Sequence, residues 1–286
     1  MAMTELPQPR TTAGRDALAA LLADPGGALL AFDFDGTLSP IVPDPTRARA
    51  HPDARPALTA LAPSVGSLLV LTGRPAALAV ELGDFARVPG LVVLGQYGVE
   101  RWEQRSGEVA APEPHPGVVA LRPLLTQWLR DAGAPPGTWV EDKGRALAVH
   151  TRRTAAPEAA LELLREPLAG LAADHGLLVE PGRLVLELRP PGVDKGAALT
   201  AFVRERGARS VLYAGDDLGD LAAFAAVEKL RGEGVPGLLV CSAAAADAPV
   251  RELADRADLV VPGPAGVVAL ARALAERVAG GDGGLG

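Results

Sequence analysis

The chain has 286 residues, 48% of them hydrophobic, and a net charge of −7. That composition supports a sizeable core and excludes a disordered chain; the 33 Gly and 26 Pro stay below the ~25–30% share of low-complexity sequences. No Lys/Arg run tracks a phosphate backbone and no apolar stretch reaches the ~18 residues of a membrane span, so neither nucleic acid nor membrane is expected as a partner.

In chain order, Ala28–Phe32 is a short apolar run, followed by a helical pattern at Asp53–Ala62, a second run at Ser67–Leu71, a helix at Pro75–Leu82 and a third run at Leu91–Leu94. Such runs suit strands buried on both faces, and strands alternating with helices imply a parallel sheet. From about Arg105 the rhythm changes. A helix is expected at Gly117–Ala132, strands at Thr138–Glu141 and Arg145–Thr151, a helix at Pro157–His175, and strands at Leu177–Glu180 and Arg183–Leu188. Lys143-Gly144 and Pro181-Gly182 read as hairpin turns. The alternation returns with helix Lys195–Arg206, strand Ser210–Ala214, helix Leu218–Val227 and strand Leu238–Cys241. The predicted fold class is α/β, a Rossmann-like parallel-sheet core of residues 1–108 and 190–286 interrupted by an α+β cap at 109–189. With three Trp, two Tyr and five Phe, its core must be aliphatic.

The lone Cys241 leaves no internal disulfide or cysteine-based zinc site and reads as a buried structural thiol. The tail Gly280–Gly286 follows no strand and opens no helix, so it reads as disordered rather than as a nucleotide loop. Met1–Arg15 holds no long apolar region, and Ala17–Ala23 is short and followed by Asp24; a soluble cytoplasmic protein is expected.

Four polar clusters fall at the ends of predicted strands or the starts of predicted helices. Asp33-Phe34-Asp35-Gly36-Thr37 follows the first strand; period-two alternation sends Asp33 and Asp35 to one side, where a cation would relieve their repulsion. An Asp-rich turn alone would explain the same residues. Thr72-Gly73-Arg74-Pro75 follows the second strand and combines a hydroxyl, a permissive backbone and a helix start, either an anion cradle or a plain helix cap. Lys195 opens a helix, where a cation opposes the dipole; it suits a phosphate, or solvent. Gly215-Asp216-Asp217-Leu218-Gly219-Asp220 places three carboxylates within five residues, as Mg²⁺ prefers, or as a capped turn requires. Open α/β sheets bind ligands at strand carboxyl ends, so the four together form a phosphoryl-transfer set.

This ordered set resembles the haloacid dehalogenase superfamily of phosphohydrolases. Gly95-Gln96-Tyr97-Gly98-Val99-Glu100, Glu141-Asp142-Lys143-Gly144 with Ala148-Val149-His150, Leu186–Gly192 and Gly215–Asp220 followed by Phe224 narrow the resemblance to the trehalose-6-phosphate phosphatases, over about Ala31–Phe224. Tyr97, Gly219 and Leu221 depart from the family's His, Thr and Glu, which puts substrate contacts rather than chemistry in question. The resemblance implies Asp33 as nucleophile and Asp35 as general acid and base. It implies Mg²⁺ held by Asp33, the Asp35 carbonyl and Asp216 with Asp220 or Asp217, and phosphoryl oxygens held by Thr72 and Lys195. Gly73, Arg74, Glu141, Lys143, Glu187 and His150 are expected to bind the substrate. The expected reaction is hydrolysis of trehalose 6-phosphate by a monomer, functionally coupled to a trehalose-phosphate synthase. Another sugar phosphate is the alternative substrate, and a non-catalytic partner of the synthase the alternative role.

Overall fold

The computed structural model of the chain describes residues 6–42, 44–182, 184–243 and 251–281. Helix α1 (Thr12–Ala23) begins where the Thr11 hydroxyl accepts the Gly14 amide. Strand β1 (Ala28–Phe32), α2 (Ala54–Leu61), β2 (Ser67–Leu71), α3 (Ala76–Gly83) and β3 (Val92–Gly95) follow, each within one residue of expectation. Then come β4 (Glu100–Glu103), β5 (Val109–Ala110), α4 (Pro116–Leu121), α5 (Leu125–Asp131), β6 (Trp139–Asp142), β7 (Leu147–His150), α6 (Pro157–Asp174), β8 (Leu178–Gly182) and β9 (Val185–Arg189). The chain continues through α7 (Lys195–Arg206), β10 (Ser210–Gly215), α8 (Leu221–Gly232), β11 (Gly237–Ser242), α9 (Arg251–Arg256), β12 (Leu259–Val261) and α10 (Gly263–Gly281).

These elements form two units, residues 1–111 with 194–286, and residues 112–193. The sequence reading drew the first junction at 108/109. Val109–Ala110 instead pair with β4, which assigns them to the large sheet. That sheet has the order β12-β11-β10-β1-β2-β3-β4-β5, parallel from β12 to β3 and antiparallel at β4 and β5. Successive residues of each central strand enter opposite cores. Leu30 and Phe32 pack with residues of α1, α2, α3 and α10, while Leu29 and Ala31 pack with residues of α7, α8 and α9. Two-sided burial explains why these strands are continuous apolar runs.

The smaller unit is an antiparallel sheet, β6-β7-β9-β8, with one core face. Leu147, Val149, Leu186 and Leu188 point into that core with Val118, Leu125, Leu164 and Leu168 of the helices. The single helix expected at Gly117–Ala132 is two, α4 and α5. Pro123 lies in the break, having no amide to continue the ladder. Pro167 does not break α6: it is on the exposed face, where the carbonyl it frees can meet water. The turn expected at Pro181-Gly182 lies further on, because β8 runs through Gly182 and Leu184 takes the left-handed φ of 61°. Arg183 is outside the described residues, as are 282–286 of the expected disordered tail; its first residues, Gly280 and Gly281, are the end of α10. Residues 1–5 of the segment read for a leader also lie outside them. Among the described residues no helix is long and apolar enough to cross a membrane.

Candidate active site

The chain leaves β1 on one side for β2 and β3, and lays β10, β11 and β12 on the other. β1 and β10 therefore mark a topological switch, outside whose carboxyl ends such sheets bind ligands. Three of the four polar clusters follow the neighbouring strands β2, β1 and β10.

Asp33 leaves β1 with its amide donating to the Ala214 carbonyl at 2.8 Å, and it is 4% exposed. Lys195 is the first residue of α7, whose N-cap Asp194 accepts the Ala197 amide at 2.8 Å. Its Nζ donates to Asp33 Oδ1 at 2.6 Å and to Asp220 Oδ1 at 2.7 Å. Asp220 Oδ1 also accepts the Tyr213 hydroxyl at 2.5 Å, and Oδ2 accepts the amides of Asp216 and Asp217 at 2.9 and 3.2 Å. Four donors thus fix Asp220, and through it the turn after β10 is tied to Lys195.

Asp33, Asp216 and Asp220 each offer one oxygen, all within 4.8 Å of one another. Asp216 Oδ1 is buried without a hydrogen-bond partner. The approach depends on Gly36, at φ 74°, where a Cβ would lie 1.9 Å from Asp216 Oδ2. Burial, with Asp33 and Asp220 adding like charge, pushes the Asp216 carboxyl up to about 10. Burial also holds Asp33 well above the usual carboxylate range; Lys195 opposes this and the surrounding acids reinforce it. For Lys195 burial disfavours the charge, but Asp220 and Asp33 outweigh it and hold the ammonium well above the usual lysine range. One cation faces three clustered acids, Asp33 and Asp220 buried and Asp216 half-buried. The cluster calls for a second positive charge.

The other expected residues separate into different roles. Asp217 is outside the group of three, because its carboxylate accepts the Gly219 amide at 2.8 Å and caps the turn. The alternation expected to carry Asp35 alongside Asp33 ends with β1 at Phe32, and the chain turns where the Gly36 amide donates to the Ser39 carbonyl. The Asp35 carboxylate meets Arg74 in a two-pronged ion pair, Nε to Oδ2 at 2.6 Å and Nη2 to Oδ1 at 2.7 Å. Thr72 is buried at the end of β2, its hydroxyl accepting the Arg74 amide at 3.1 Å. A Cβ on Gly73 would come 2.8 Å from the Tyr97 ring. The helix start after Pro75 is not an open anion cradle: Glu100 accepts the Ala76 amide at 2.7 Å and the Gln96 side-chain amide at 2.9 Å. Its carboxylate supplies the negative charge that the helix start favours.

In the smaller unit, Ala148 on β7 pairs with Glu141 on β6 and Glu187 on β9, so the two acids share one row across the sheet. Their face is opposite the core-facing Val149 and Leu186. Lys143 Nζ is paired with Glu187 Oε2, which is almost fully buried. His150 Nε2 lies 2.7 Å from Glu141 Oε2, its ring stacked on Trp139 at 4.4 Å. The smaller unit thus brings together all its expected substrate-binding residues.

Two partnerships escaped the sequence reading. Tyr213, to which the sequence assigned no role, is fully buried with its hydroxyl on Asp220. Its signal was a phenol in an otherwise aliphatic strand. Arg74, expected to touch substrate, pairs with Asp35 39 positions earlier, and no sequence spacing signals that.

The family model for trehalose-phosphatase matches residues 31–255. Trehalose-6-phosphate phosphatase of Escherichia coli (strain K12) is 32% identical over 207 residues, 71% of this chain and 75% of that protein. Trehalose-phosphate phosphatase of Mycobacterium avium (strain 104) is 34% identical over 220 residues, 73% of this chain and 53% of that protein, so the chain spans about half the length of that relative. The C-terminal domain of C. albicans trehalose-6-phosphate phosphatase superposes with a TM-score of 0.74 at 20% identity, covering 94% of this chain and 99% of that one. A haloacid dehalogenase-like hydrolase from Bacteroides thetaiotaomicron gives 0.58 at 17% identity, over 84% and 97%. The chain belongs to the trehalose-phosphatase family, phosphatase hydrolases built on a haloacid-dehalogenase-like fold.

Proposed function

We propose that the chain hydrolyses trehalose 6-phosphate to trehalose and phosphate, as a cytoplasmic monomer acting on the product of a trehalose-phosphate synthase. The observation that carries this reading is the cluster of Asp33 and Asp216 at adjacent strand ends with Lys195 at the start of α7, in a chain of this family.

The donor set fits Mg²⁺: hard carboxylate oxygens converge, and one, Asp216 Oδ1, is buried with no partner. Asp33, Asp216 and the Asp35 carbonyl would hold the ion, with Asp220 in support. When bound, Mg²⁺ neutralises part of the clustered charge and polarises the phosphoryl group. Asp33 attacks phosphorus in line, forming an aspartyl-phosphate as the bond to the sugar oxygen breaks. Asp35 gives a proton to that departing oxygen and then takes one from the water that hydrolyses the intermediate. Lys195, fixed by Asp220, and Thr72 donate hydrogen bonds to phosphoryl oxygens. Glu141, Lys143, Glu187 and His150 supply hydrogen-bonding groups for the uncharged, hydroxyl-rich disaccharide.

Phosphate release from trehalose 6-phosphate, sucrose 6-phosphate, mannose 6-phosphate and glucose 6-phosphate tests the reading. Trehalose 6-phosphate should give the highest kcat/KM by at least tenfold. Equal or better turnover of another ester would transfer the assignment to that substrate.

A further inference from the structure

We propose that Arg74 is the positioning residue of the acid–base step: it holds the Asp35 carboxylate in the orientation from which Asp35 serves the leaving oxygen, and does not bind the phosphoryl group. This rests on the reading of Asp35 as acid and base. Arg74 is held on several sides. Nε and Nη2 grip both Asp35 oxygens, Nη1 donates to the Pro45 carbonyl at 2.9 Å, and the guanidinium lies 5.6 Å from the Phe34 ring centroid. Its own amide is tied to the Thr72 hydroxyl and its carbonyl accepts the Gln96 amide at 2.8 Å. The Arg74 side chain is 13% exposed and that of Asp35 40%. A carboxylate that exposed, on a turn beyond the end of β1, has several rotamers open to it. A planar fork bonded at two atoms selects one of them. Lysine can substitute only in part, since a point charge fixes distance without fixing the carboxylate plane.

Balanced out, the step it serves is simple. The Asp33–phosphorus bond forms, the phosphorus–oxygen bond breaks, and the departing oxygen takes the proton that Asp35 carries on a lone pair the Arg74 fork leaves open; Asp35 regains a proton from the water that then cleaves the aspartyl-phosphate. A strongly basic leaving oxygen needs that proton, whereas p-nitrophenolate leaves without it. An acid-positioning residue should therefore matter in proportion to leaving-group basicity, and a phosphate-binding residue should matter equally for every ester.

The test measures kcat/KM for phenyl phosphate and p-nitrophenyl phosphate, which have similar shapes and no sugar, on Arg74→Met, Arg74→Lys and Asp35→Asn. Because kcat/KM covers events up to formation of the phospho-enzyme, a slow hydrolysis step does not mask the effect. Asp35→Asn should lose about 10²–10⁴-fold on phenyl phosphate and much less on p-nitrophenyl phosphate. Arg74→Met should show the same split, roughly 10–100-fold against less than about threefold, with KM little changed. Arg74→Lys should fall between wild type and Arg74→Met. Equal losses on both esters, with raised KM, would make Arg74 a phosphate ligand or a purely structural residue and overturn the proposal. So would full activity of Arg74→Met on phenyl phosphate. If Asp35→Asn itself shows no split, the acid–base reading fails, and the inference about Arg74 fails with it.

Discussion

Replacing Lys195 by Met should destabilise the protein severely, and the size of the loss follows from the site. Lys195 and Asp33 are each 4% exposed and Asp220 is fully buried, with Nζ 2.6 and 2.7 Å from the two carboxylates. Two opposite charges at that separation attract by roughly 6 kcal/mol at an effective dielectric near 20. Lys195 makes two such contacts. Removing it leaves two carboxylates buried without their counter-charge, so the loss should reach the upper end of the ~3–5 kcal/mol seen when buried pairs are broken. With a urea slope of about 3 kcal/mol per M, the unfolding midpoint should drop by roughly 1.3–1.7 M. Adding Asp220→Asn to Lys195→Met removes one orphaned charge and should restore about 1–3 kcal/mol. Lys229→Met, on the exposed side of α8, should stay within about 0.5 kcal/mol of wild type. Urea unfolding followed by circular dichroism reads all three. A loss below about 1 kcal/mol for Lys195→Met, or no recovery in the double variant, would refute the picture of one lysine neutralising two buried acids.

Other outcomes test neighbouring parts of the account. Gly36→Ala should lower stability by at least about 2 kcal/mol and weaken the Mg²⁺-dependent rise in Tm, because its Cβ would sit 1.9 Å from Asp216 Oδ2 in a left-handed turn. An unchanged Mg²⁺ response in differential scanning fluorimetry would contradict this. The Cys241 thiol, fully buried and pushed up to about 11 by burial and then by Asp216 and Asp220, should react with iodoacetamide at pH 8 about 100-fold more slowly than an unfolded thiol. A raised thiol pKa favours the neutral folded form, so this group's stabilisation is complete below the ordinary value of 9.0 and is lost as pH rises toward about 11. Glu187→Ala, which removes the carboxylate that pairs with Lys143, should reduce kcat/KM for trehalose 6-phosphate by about 10²–10⁴ and for p-nitrophenyl phosphate by less than about threefold. Equal losses on the two substrates would remove Glu187 from sugar recognition.

The large sheet was legible because its strands are buried on both faces: Ala28–Phe32 and Ser67–Leu71 are unbroken apolar runs whose ends need no tertiary information. Edge elements were not. β4, read Glu100-Arg101-Trp102-Glu103, has polar residues on one face, and β12 has three residues, too short for any period to register. Asp33, Lys195 and Asp216 each had an ordinary structural reading alone, and were legible only as a set placed at strand ends and a helix start. Asp217 looked equivalent to its neighbours, yet a hydrogen bond to Gly219, two residues on, spends it on the turn. The capture of the α3 start by Glu100 was hidden because the partners lie 24 positions apart, joined by the reversal of β3 into β4.

The central claim is that Asp33, with Lys195 and Asp216 around it, makes this chain a phosphatase for trehalose 6-phosphate. The most direct measurement is phosphate release from trehalose 6-phosphate in Mg²⁺ by the wild type and by Asp33→Asn, with folding of both checked by circular dichroism. Turnover that EDTA abolishes and Mg²⁺ restores is expected, with a folded Asp33→Asn slower by at least about 10⁴-fold. Comparable phosphate release from folded Asp33→Asn, or no release by wild type under any divalent cation, would contradict it.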